Sequence, residues 1–266
     1  MFRQAPDSMI PDPTPERVFS LCRLLAYQSM SREELVEALS LGKPSKTNYS
    51  EIGAALNVAQ NDLGAVRNQD GVYQLAVAAE VVQSPDQFRK FVASKAFARS
   101  DSSFVLFTKW YIAKNEKVFT LSSWESRAIE AGREVVALKE IRNNDMKGWR
   151  FWAAFLGIGY LSGTALIPNM KQRLADVFAA KLQPTFSYGE PILAKSFFAW
   201  LDQELPEVDL SQEIPMAVSA GLRTLHELGA IQLESRRDTE KVFLYYVSGD
   251  QWNTISHITV KEESGR

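Results

Sequence analysis

The chain has 266 residues, of which 45% are hydrophobic and 23% charged, and its formal net charge is −2. That length suits two or three domains, and the composition is typical of a globular protein with a sizeable core. The near-neutral charge excludes an overall field that draws the chain to nucleic acid, so any such affinity needs a local basic patch. Cys22 is the single cysteine, which excludes an intramolecular disulfide and a cysteine-rich zinc site.

The N-terminal stretch predicts neither a signal peptide nor a packed element. Residues 1–15 contain four prolines and no apolar run, so we expect a disordered proline-rich tail there. The longest apolar stretch, Phe151–Leu161, is far shorter than the roughly 20 residues that span a membrane. We therefore expect a soluble cytoplasmic protein with no membrane partner.

An internal pattern occurs three times along the chain. A helix-like segment ends in Leu-Gly, and an apolar strand, a polar turn and a second strand follow. The three Leu-Gly pairs and their hairpins lie at 63–77, 156–167 and 228–247. Glycine just past a helix adopts the left-handed conformation that caps the last carbonyls, so the chain can turn directly into a strand. A helix that leads into a two-stranded hairpin is the second half of a winged helix.

Helical patterns precede each hairpin. In the first copy, an apolar stripe around Leu21 and Cys22 predicts one helix. Ser31 and Glu34 form a capping box that opens a second helix, which runs to Leu41. The remaining predicted elements are a third helix at 50–63, helices at 104–113 and 145–156, a short strand at 117–121, a capping box of Ser122 with Glu125, and helices at 170–182, 191–205 and 215–228.

These elements predict a mainly α fold with small β-hairpins, in the α+β class, built from tandem winged-helix modules. The predicted organisation is a tail at 1–15, winged-helix module 1 at 16–82, a basic winged-helix-like module 2 at 85–170, a helical linker plus winged-helix module 3 at 171–250, and a C-terminal tail at 251–266.

Winged helices that bind DNA insert the third helix into the major groove and place the wing on the backbone. In the first module, the third helix offers the amides of Gln60 and Asn61, which suit base edges. In the third module, Arg223 lies on the helix, and Arg236, Arg237 and Lys241 lie in the predicted wing. A solvated polar face remains an alternative reading of both sets.

The middle of the chain is basic. From Gln87 to Arg150 there are thirteen Lys or Arg against seven acids, a net +6, so the remainder carries −8. This segment is the strongest electrostatic indication of nucleic-acid binding. Lys147 and Arg150 are its candidate contacts, and the neighbouring Trp149 and Trp152 either stack on bases or belong to the core.

No pattern predicts catalysis or a cofactor. The two histidines, His226 and His257, are isolated, so no metal-ligand spacing occurs. Cys22 lies on an apolar helix face, which predicts a buried small hydrophobe and not a nucleophile. The carboxylates form no spacing that singles out an acid–base pair.

The stretch from Trp149 to Tyr160, followed by Leu166-Ile167-Pro168, resembles a segment of the DpdG proteins, as does the opening sequence with its helix at 31–35. These proteins belong to bacterial gene clusters that insert 7-deazaguanine bases into DNA and restrict foreign DNA. The resemblance implies a cytoplasmic accessory component of an anti-phage or DNA-modification system. It carries over no catalytic residue.

Two functional hypotheses follow from the sequence. The first is a DNA-associated winged-helix accessory protein of a bacterial defence or modification system, with duplex DNA and other subunits as its partners. The second is a scaffold of winged-helix modules that assembles partner subunits without contacting DNA. An enzyme with a site assembled from scattered residues is the least supported alternative.

Overall fold

The computed structural model describes residues 13–121 and 123–262. Over those residues the chain is mainly helical with small antiparallel sheets, which confirms the predicted α+β class. In this part of the chain, one compact unit comprises residues 13–104 and 123–156, and a second comprises residues 105–121 and 157–262. Positions 1–12 of the predicted tail lie outside the described residues, whereas Pro13 is buried and Pro15 begins the first helix. No helix of the described residues is long and apolar enough to span a bilayer.

The elements run in the following order. The described α-helices are α1 (Pro15–Leu25), α2 (Arg32–Leu39), α3 (Lys46–Asn57), α4 (Pro85–Ala96), α5 (Ser103–Ala113), α6 (Trp124–Glu134), α7 (Asn143–Phe155), α8 (Lys171–Lys181), α9 (Ala194–Glu204) and α10 (Met216–Glu227). The described strands are β1 (Met30–Ser31), β2 (Val66–Gln69), β3 (Val72–Leu75), β4 (Gly159–Ser162), β5 (Ala165–Pro168), β6 (Pro191–Leu193), β7 (Ile231–Glu234), β8 (Val242–Phe243), β9 (Thr254–Ile255) and β10 (His257–Val260).

The first unit begins with the order α1, β1, α2, α3, β2, β3. Its strands form an antiparallel sheet in the spatial order β1-β3-β2, with Val66 opposite Leu75 and Met30 opposite Tyr73. The two strands β2 and β3 are joined by Asp70 and Gly71, which both have positive φ (53° and 85°). Two successive left-handed residues are what a tight hairpin turn requires.

Serine caps fix the starts of α2 and α3. The predicted capping box is confirmed, because Ser31 Oγ accepts from the Glu34 N–H at 3.2 Å and Glu34 accepts from the Ser31 N–H at 2.7 Å. Ser45 caps α3 in the same way with Asn48, so α3 begins four residues before the predicted Ser50. The capping box predicted for Ser122 lies outside the described residues, and the side chain of Ser123 caps α6.

An aromatic core fills the rest of the first unit. Trp149 and Trp152 of α7 are fully buried, and Trp149 meets Trp124 of α6 edge-on at 6.1 Å. The Trp152 indole donates to the carbonyl of Pro13 at 2.8 Å, which satisfies its buried N–H. The tryptophans are therefore core residues, and the interpretation that they stack on bases is wrong.

Part of the second unit has the same order of elements as α1–β3. α8, β6, α9, α10, β7 and β10 occur in the order helix, strand, helix, helix, strand and strand, with the short strands β8 and β9 between β7 and β10, and the three-stranded sheet has the spatial order β6-β10-β7. Ile258 of the central strand lies opposite Ile192 on one side and Leu233 on the other. The helix pair α8 and α10 is close-packed at Gly221, where an added Cβ would lie 2.8 Å from the backbone nitrogen of Lys171.

The pairing of β7 differs from the prediction. β7 pairs with β10 and not with the segment after the charged turn, while β8 and β9 form a separate small hairpin within the connection at 235–256. Residues 254–260, predicted as part of a C-terminal tail, therefore supply β9 and the central strand of the sheet. A local hairpin pattern does not reveal a partner strand that lies more than twenty residues further along the chain.

The structure bears on four further predictions for the middle and late parts of the chain. The hairpin at β4 and β5 is confirmed, with Ser162 opposite Ala165. The segment predicted as a strand at 117–121 instead begins within a 3₁₀-helix at Asn115–Phe119. Pro191 lies in β6 and not in a helix, and α9 begins three residues later. The predicted module 2 at 85–170 contributes residues to both compact units.

All three Leu-Gly sites have the predicted geometry. Gly64, Gly157 and Gly229 have φ values of 62°, 78° and 74°, each just after a helical segment and before a strand. At the third site, the N–H of Ala230 donates to the carbonyl of Leu225 at 2.9 Å, which satisfies one of the last carbonyls of α10. The glycine-capped helix that leads into a strand is thus a repeated structural feature of this chain.

Candidate nucleic-acid interface

Helix α3 presents an open polar face in the first unit. Five of its twelve residues are exposed, and Gln60 and Asn61 are exposed in the single π-helical turn Val58–Asp62 that extends it. π-turns within helices are frequent at functional sites because they change which side chains share a face. The sequence-predicted candidates Gln60 and Asn61 are therefore accessible.

A cleft of about 440 Å³ runs along this face. Its lining comprises Arg32, Ser50, Gly53, Leu56, Asn57, Gln60, Asn61 and Tyr73. The set contains amides, a hydroxyl, a phenol and one cation, and it contains no carboxylate. A cleft of this composition does not repel a phosphate backbone and offers both donors and acceptors to base edges.

Two contacts organise the cleft. The Nδ2 atom of Asn61 donates to Oδ1 of Asn57 at 2.6 Å, which joins the two amides across one turn. The guanidinium of Arg32 donates to the carbonyl of Tyr49 at 3.0 Å, so α2 places this cation along α3. It reaches over Gly53, where an added Cβ would lie 2.7 Å from Nη2 of Arg32.

The acids of α3 and its extension do not line the cleft. Glu51 forms an ion pair with Arg17 of α1 at 3.1 Å, and Asp62 is half-buried. Two exposed cations lie at the start of α3, Lys43 in the preceding turn and Lys46 as the first residue of the helix. The cleft lining therefore carries one cation, Arg32, and no carboxylate, although the predicted module as a whole is not basic.

The corresponding helix of the second unit, α10, is covered by its own long connection. Only Glu227 of its residues is exposed. Ser219 Oγ accepts from the N–H of Tyr245 at 2.9 Å, and the ring of His226 meets Trp252 edge-on at 4.7 Å. The chain around 245–253 thus covers the face of α10 that corresponds to the open face of α3.

Arg223 holds that connection in place. Its side chain is 11% exposed, and its guanidinium pairs with Asp250 at 2.5 Å. The same group donates to the carbonyls of Tyr245 at 2.8 Å and Trp252 at 3.2 Å. Arg223, a predicted DNA contact, therefore has an internal role, because its side chain is mostly buried and its guanidinium is engaged by groups of this connection.

The remaining cations of the third predicted module lie in the connection at 235–256. Arg236 is exposed and pairs with Glu234 at 2.7 Å, which neutralises part of its charge. Arg237 and Lys241 are exposed. Lys195 of α9 pairs with Glu240 at 3.0 Å beside them. Arg237 and Lys241 are therefore the members of this set that best fit an anion-contacting role.

The basic segment 87–150 has its charges in varied environments. Lys147 on α7 is exposed, whereas Arg150 is half-buried with its guanidinium 4.7 Å from the ring of Phe151. Arg89 and Arg127 are buried, the first paired with Asp86 and the second 4.6 Å from a tryptophan ring. Several of the thirteen cations thus stabilise their own helices, which sequence counting could not reveal.

The single thiol and the two histidines lie in packed surroundings. Burial raises the pKa of Cys22 from 9.0 to about 12, which keeps the thiol protonated at neutral pH. His226 Nδ1 accepts from the N–H of Leu233 at 3.3 Å, and His257 Nδ1 lies 2.9 Å from Ser256 Oγ. The described residues contain no group of three His, Cys, Asp or Glu that could hold a metal ion.

Sequence reasoning identified the polar residues of the third helix but missed Arg32, the cation that lines the same cleft. Asn57 and Ser50 were visible on the helical pattern, since positions 50, 53, 57 and 60–61 share one helical face. The contribution of Arg32 from α2 had no signal in the sequence, because it depends on how two helices pack. No protein-family model, no curated protein and no solved structure matches the chain.

Proposed function

We propose that this chain is a duplex-DNA-binding protein built from winged-helix modules, in which α3 of the first unit is the recognition helix. A winged helix has the order helix, strand, helix, helix, strand, strand, with the last strand in the middle of the sheet. The segments α1–β3 and α8–β10 each have that order and that strand arrangement, the second with the hairpin of β8 and β9 inserted before its last strand. The open, carboxylate-free face of α3 is the observation that carries the proposal.

In this function, α3 enters the major groove and the β2–β3 hairpin lies beside the backbone. Gln60 and Asn61 face base edges, while Lys43 and Lys46 contact phosphates at the start of the helix. Lys147, Arg237 and Lys241 are exposed and serve as further phosphate contacts. Arg223 is not part of this set, because its guanidinium is engaged within the second unit.

The biological setting is proposed from the resemblance of the segment Trp149–Tyr160 to the DpdG proteins. In that setting, the chain is an accessory component of a bacterial anti-phage or DNA-modification system. It brings duplex DNA to partner subunits through the first unit. In this setting the partner subunits, and not this chain, carry out the modification or restriction of the DNA.

The test is the salt dependence of binding to a labelled 20-base-pair duplex, followed by fluorescence anisotropy. Affinity falls with added salt because each contacted phosphate releases counterions, with a slope of about −0.9 per contact. We expect Lys43→Ala/Lys46→Ala to reduce the magnitude of that slope by about 1.8. Absence of duplex binding at low salt would contradict the function.

Lys181→Ala/Lys195→Ala is the charge-matched control for this experiment. Both lysines are exposed in the second unit and already face carboxylates, Glu204 and Glu240. The control removes the same formal charge from the chain without touching α3. A salt slope that falls equally in the control and in the Lys43/Lys46 variant would contradict the assignment of Lys43 and Lys46 as phosphate contacts.

A second candidate function, a protein-interaction scaffold, is favoured by one feature of the second unit. A cleft of about 1050 Å³ lies between α9, the chain at 210–214 and the chain at 240–246. Phe243 and Tyr246 beside it are 74% and 71% exposed, and exposed aromatic residues are enriched at protein interfaces. A stable partner that Phe243→Ser/Tyr246→Ser releases, combined with no DNA binding at low salt, would favour this function.

A further inference from the structure

We propose that the cleft on α3 reads adenine in the major groove, an inference that rests on the duplex-binding function above. The cleft is lined by three amide side chains, and no carboxylate is among its lining residues. The base that this cleft prefers follows from the hydrogen-bond donors and acceptors that its amides do not use within the protein. The four bases differ in the groups they present on this side of the duplex.

The amide pair of Asn57 and Asn61 leaves a complementary set of groups. One N–H of Asn61 is donated to the carbonyl of Asn57. The amino group of Asn57 and the carbonyl of Asn61 keep their full capacity, so the pair presents an unused donor group and an unused acceptor group. Exchanging the oxygen and nitrogen of both amides leaves the same combination. Gln60, exposed beside them, carries a donor and an acceptor on one side chain.

Adenine is the base that this combination satisfies fully. In the major groove adenine presents an acceptor at N7 and a donor at N6, and asparagine or glutamine contacts both. Guanine presents two acceptors, which suit a guanidinium or ammonium. Cytosine presents a donor that suits a carboxylate, and the cleft lining has none. Thymine presents one acceptor and a methyl group, so half of the amide capacity would stay unused.

Arg32 occupies one side of the amide face. Gly53 has no side chain, and the guanidinium of Arg32 lies over it, with Nη2 2.7 Å from where a Cβ would be. Arg32 donates to the Tyr49 carbonyl from one nitrogen, which fixes the cation at the side of the cleft. In this position it suits a phosphate that flanks the base.

The experiment compares two 20-base-pair duplexes, one of alternating A·T pairs and one of alternating inosine·C pairs, by fluorescence anisotropy on the full chain. These duplexes share the minor-groove pattern and differ in the major groove, where inosine has the two acceptors of guanine. We expect the A·T duplex to bind at least about fivefold more tightly, the discrimination expected of one bidentate amide contact. Replacing adenine with 7-deazaadenine, which lacks the N7 acceptor, is expected to remove most of that preference.

Asn57→Ala/Gln60→Ala/Asn61→Ala is expected to lose the preference: its affinity for the A·T duplex falls about fivefold, to that for the inosine·C duplex, while the slope of affinity against salt stays the same. Gln83→Ala/Gln203→Ala/Gln212→Ala removes three exposed amides elsewhere and is the matched control, expected to keep the preference. Thermal unfolding of both variants confirms that they are folded.

The outcomes separate this inference from the function on which it rests. Equal binding of the two duplexes by the wild type would overturn adenine reading and leave duplex binding intact. Tighter binding of the inosine·C duplex would also overturn it and assign the cleft to Arg32. Absence of binding to either duplex at low salt would overturn the duplex-binding function itself.

Discussion

The surroundings of individual cations show why formal charge is a poor guide to a nucleic-acid interface. Lys147 and Arg223 were both candidate DNA contacts, and each lies on a helix of the chain. Lys147 is exposed, whereas Arg223 is engaged by an aspartate and two backbone carbonyls. A guanidinium with five donors can organise a loop, and the partners that decide this role are far from it along the chain.

Arg223→Met tests that internal role. Removing the guanidinium leaves Asp250 and two carbonyls without their main donor, so we expect the free energy of unfolding to fall by about 2–4 kcal/mol. We also expect faster proteolysis within residues 245–253, because the connection loses its attachment to α10. Urea denaturation and limited proteolysis measure the two effects.

Arg237→Met, an exposed position in the same connection, is the control and is expected to change stability by less than about 0.5 kcal/mol. Equal stability of the two variants would show that Arg223 does not hold the connection. Binding of duplex by the folded Arg223→Met protein is expected to match the wild type.

At the scale of elements, the three glycines after helices are alike in backbone conformation but differ in their surroundings. Gly157 and Gly229 both have φ near 75° in the second unit. A Cβ at position 157 would lie 2.6 Å from the backbone nitrogen of Arg173, whereas nothing lies within 4 Å of one at position 229. The two sites therefore separate the cost of the left-handed conformation from the cost of a steric clash.

Gly157→Ala and Gly229→Ala form a matched pair. We expect Gly229→Ala to lower the free energy of unfolding by about 1–2 kcal/mol, the cost of a Cβ in the left-handed region. Gly157→Ala is expected to cost about 1–3 kcal/mol more, because α8 has to shift to admit the methyl group. Chemical denaturation of both variants measures the difference, and equal losses would contradict the close approach at Gly157.

The sequence predicted elements whose signal is local and failed where pairing is distant. Leu-Gly caps, the Ser31 capping box and the hairpins at 66–75 and 159–168 depend on neighbouring residues, and all are present. The partner of β7 is β10, some twenty-five residues away, and its apolar residues Ile258 and Val260 gave no hairpin signal. The candidate site shows the same division, since Gln60 and Asn61 were identifiable and Arg32 was not.

At the scale of the whole molecule, the chain uses one arrangement of elements twice with opposite consequences for its surface. In α1–β3 the last two strands are joined by a two-residue turn, which leaves α3 open. In α8–β10 they are joined by residues 235–256, part of which packs on α10. In the proposed function, α3 of the first arrangement is therefore the helix that contacts base edges, whereas the covered α10 is not.

Photo-crosslinking to duplex DNA tests this assignment most directly. A benzophenone side chain is placed at Gln60 or at Glu227, two exposed positions near the ends of the equivalent helices, and each protein is irradiated with a labelled A·T duplex at low salt. We expect a protein–DNA adduct from position 60 and none from position 227. An adduct from position 227 alone, or none from either position, would contradict the account.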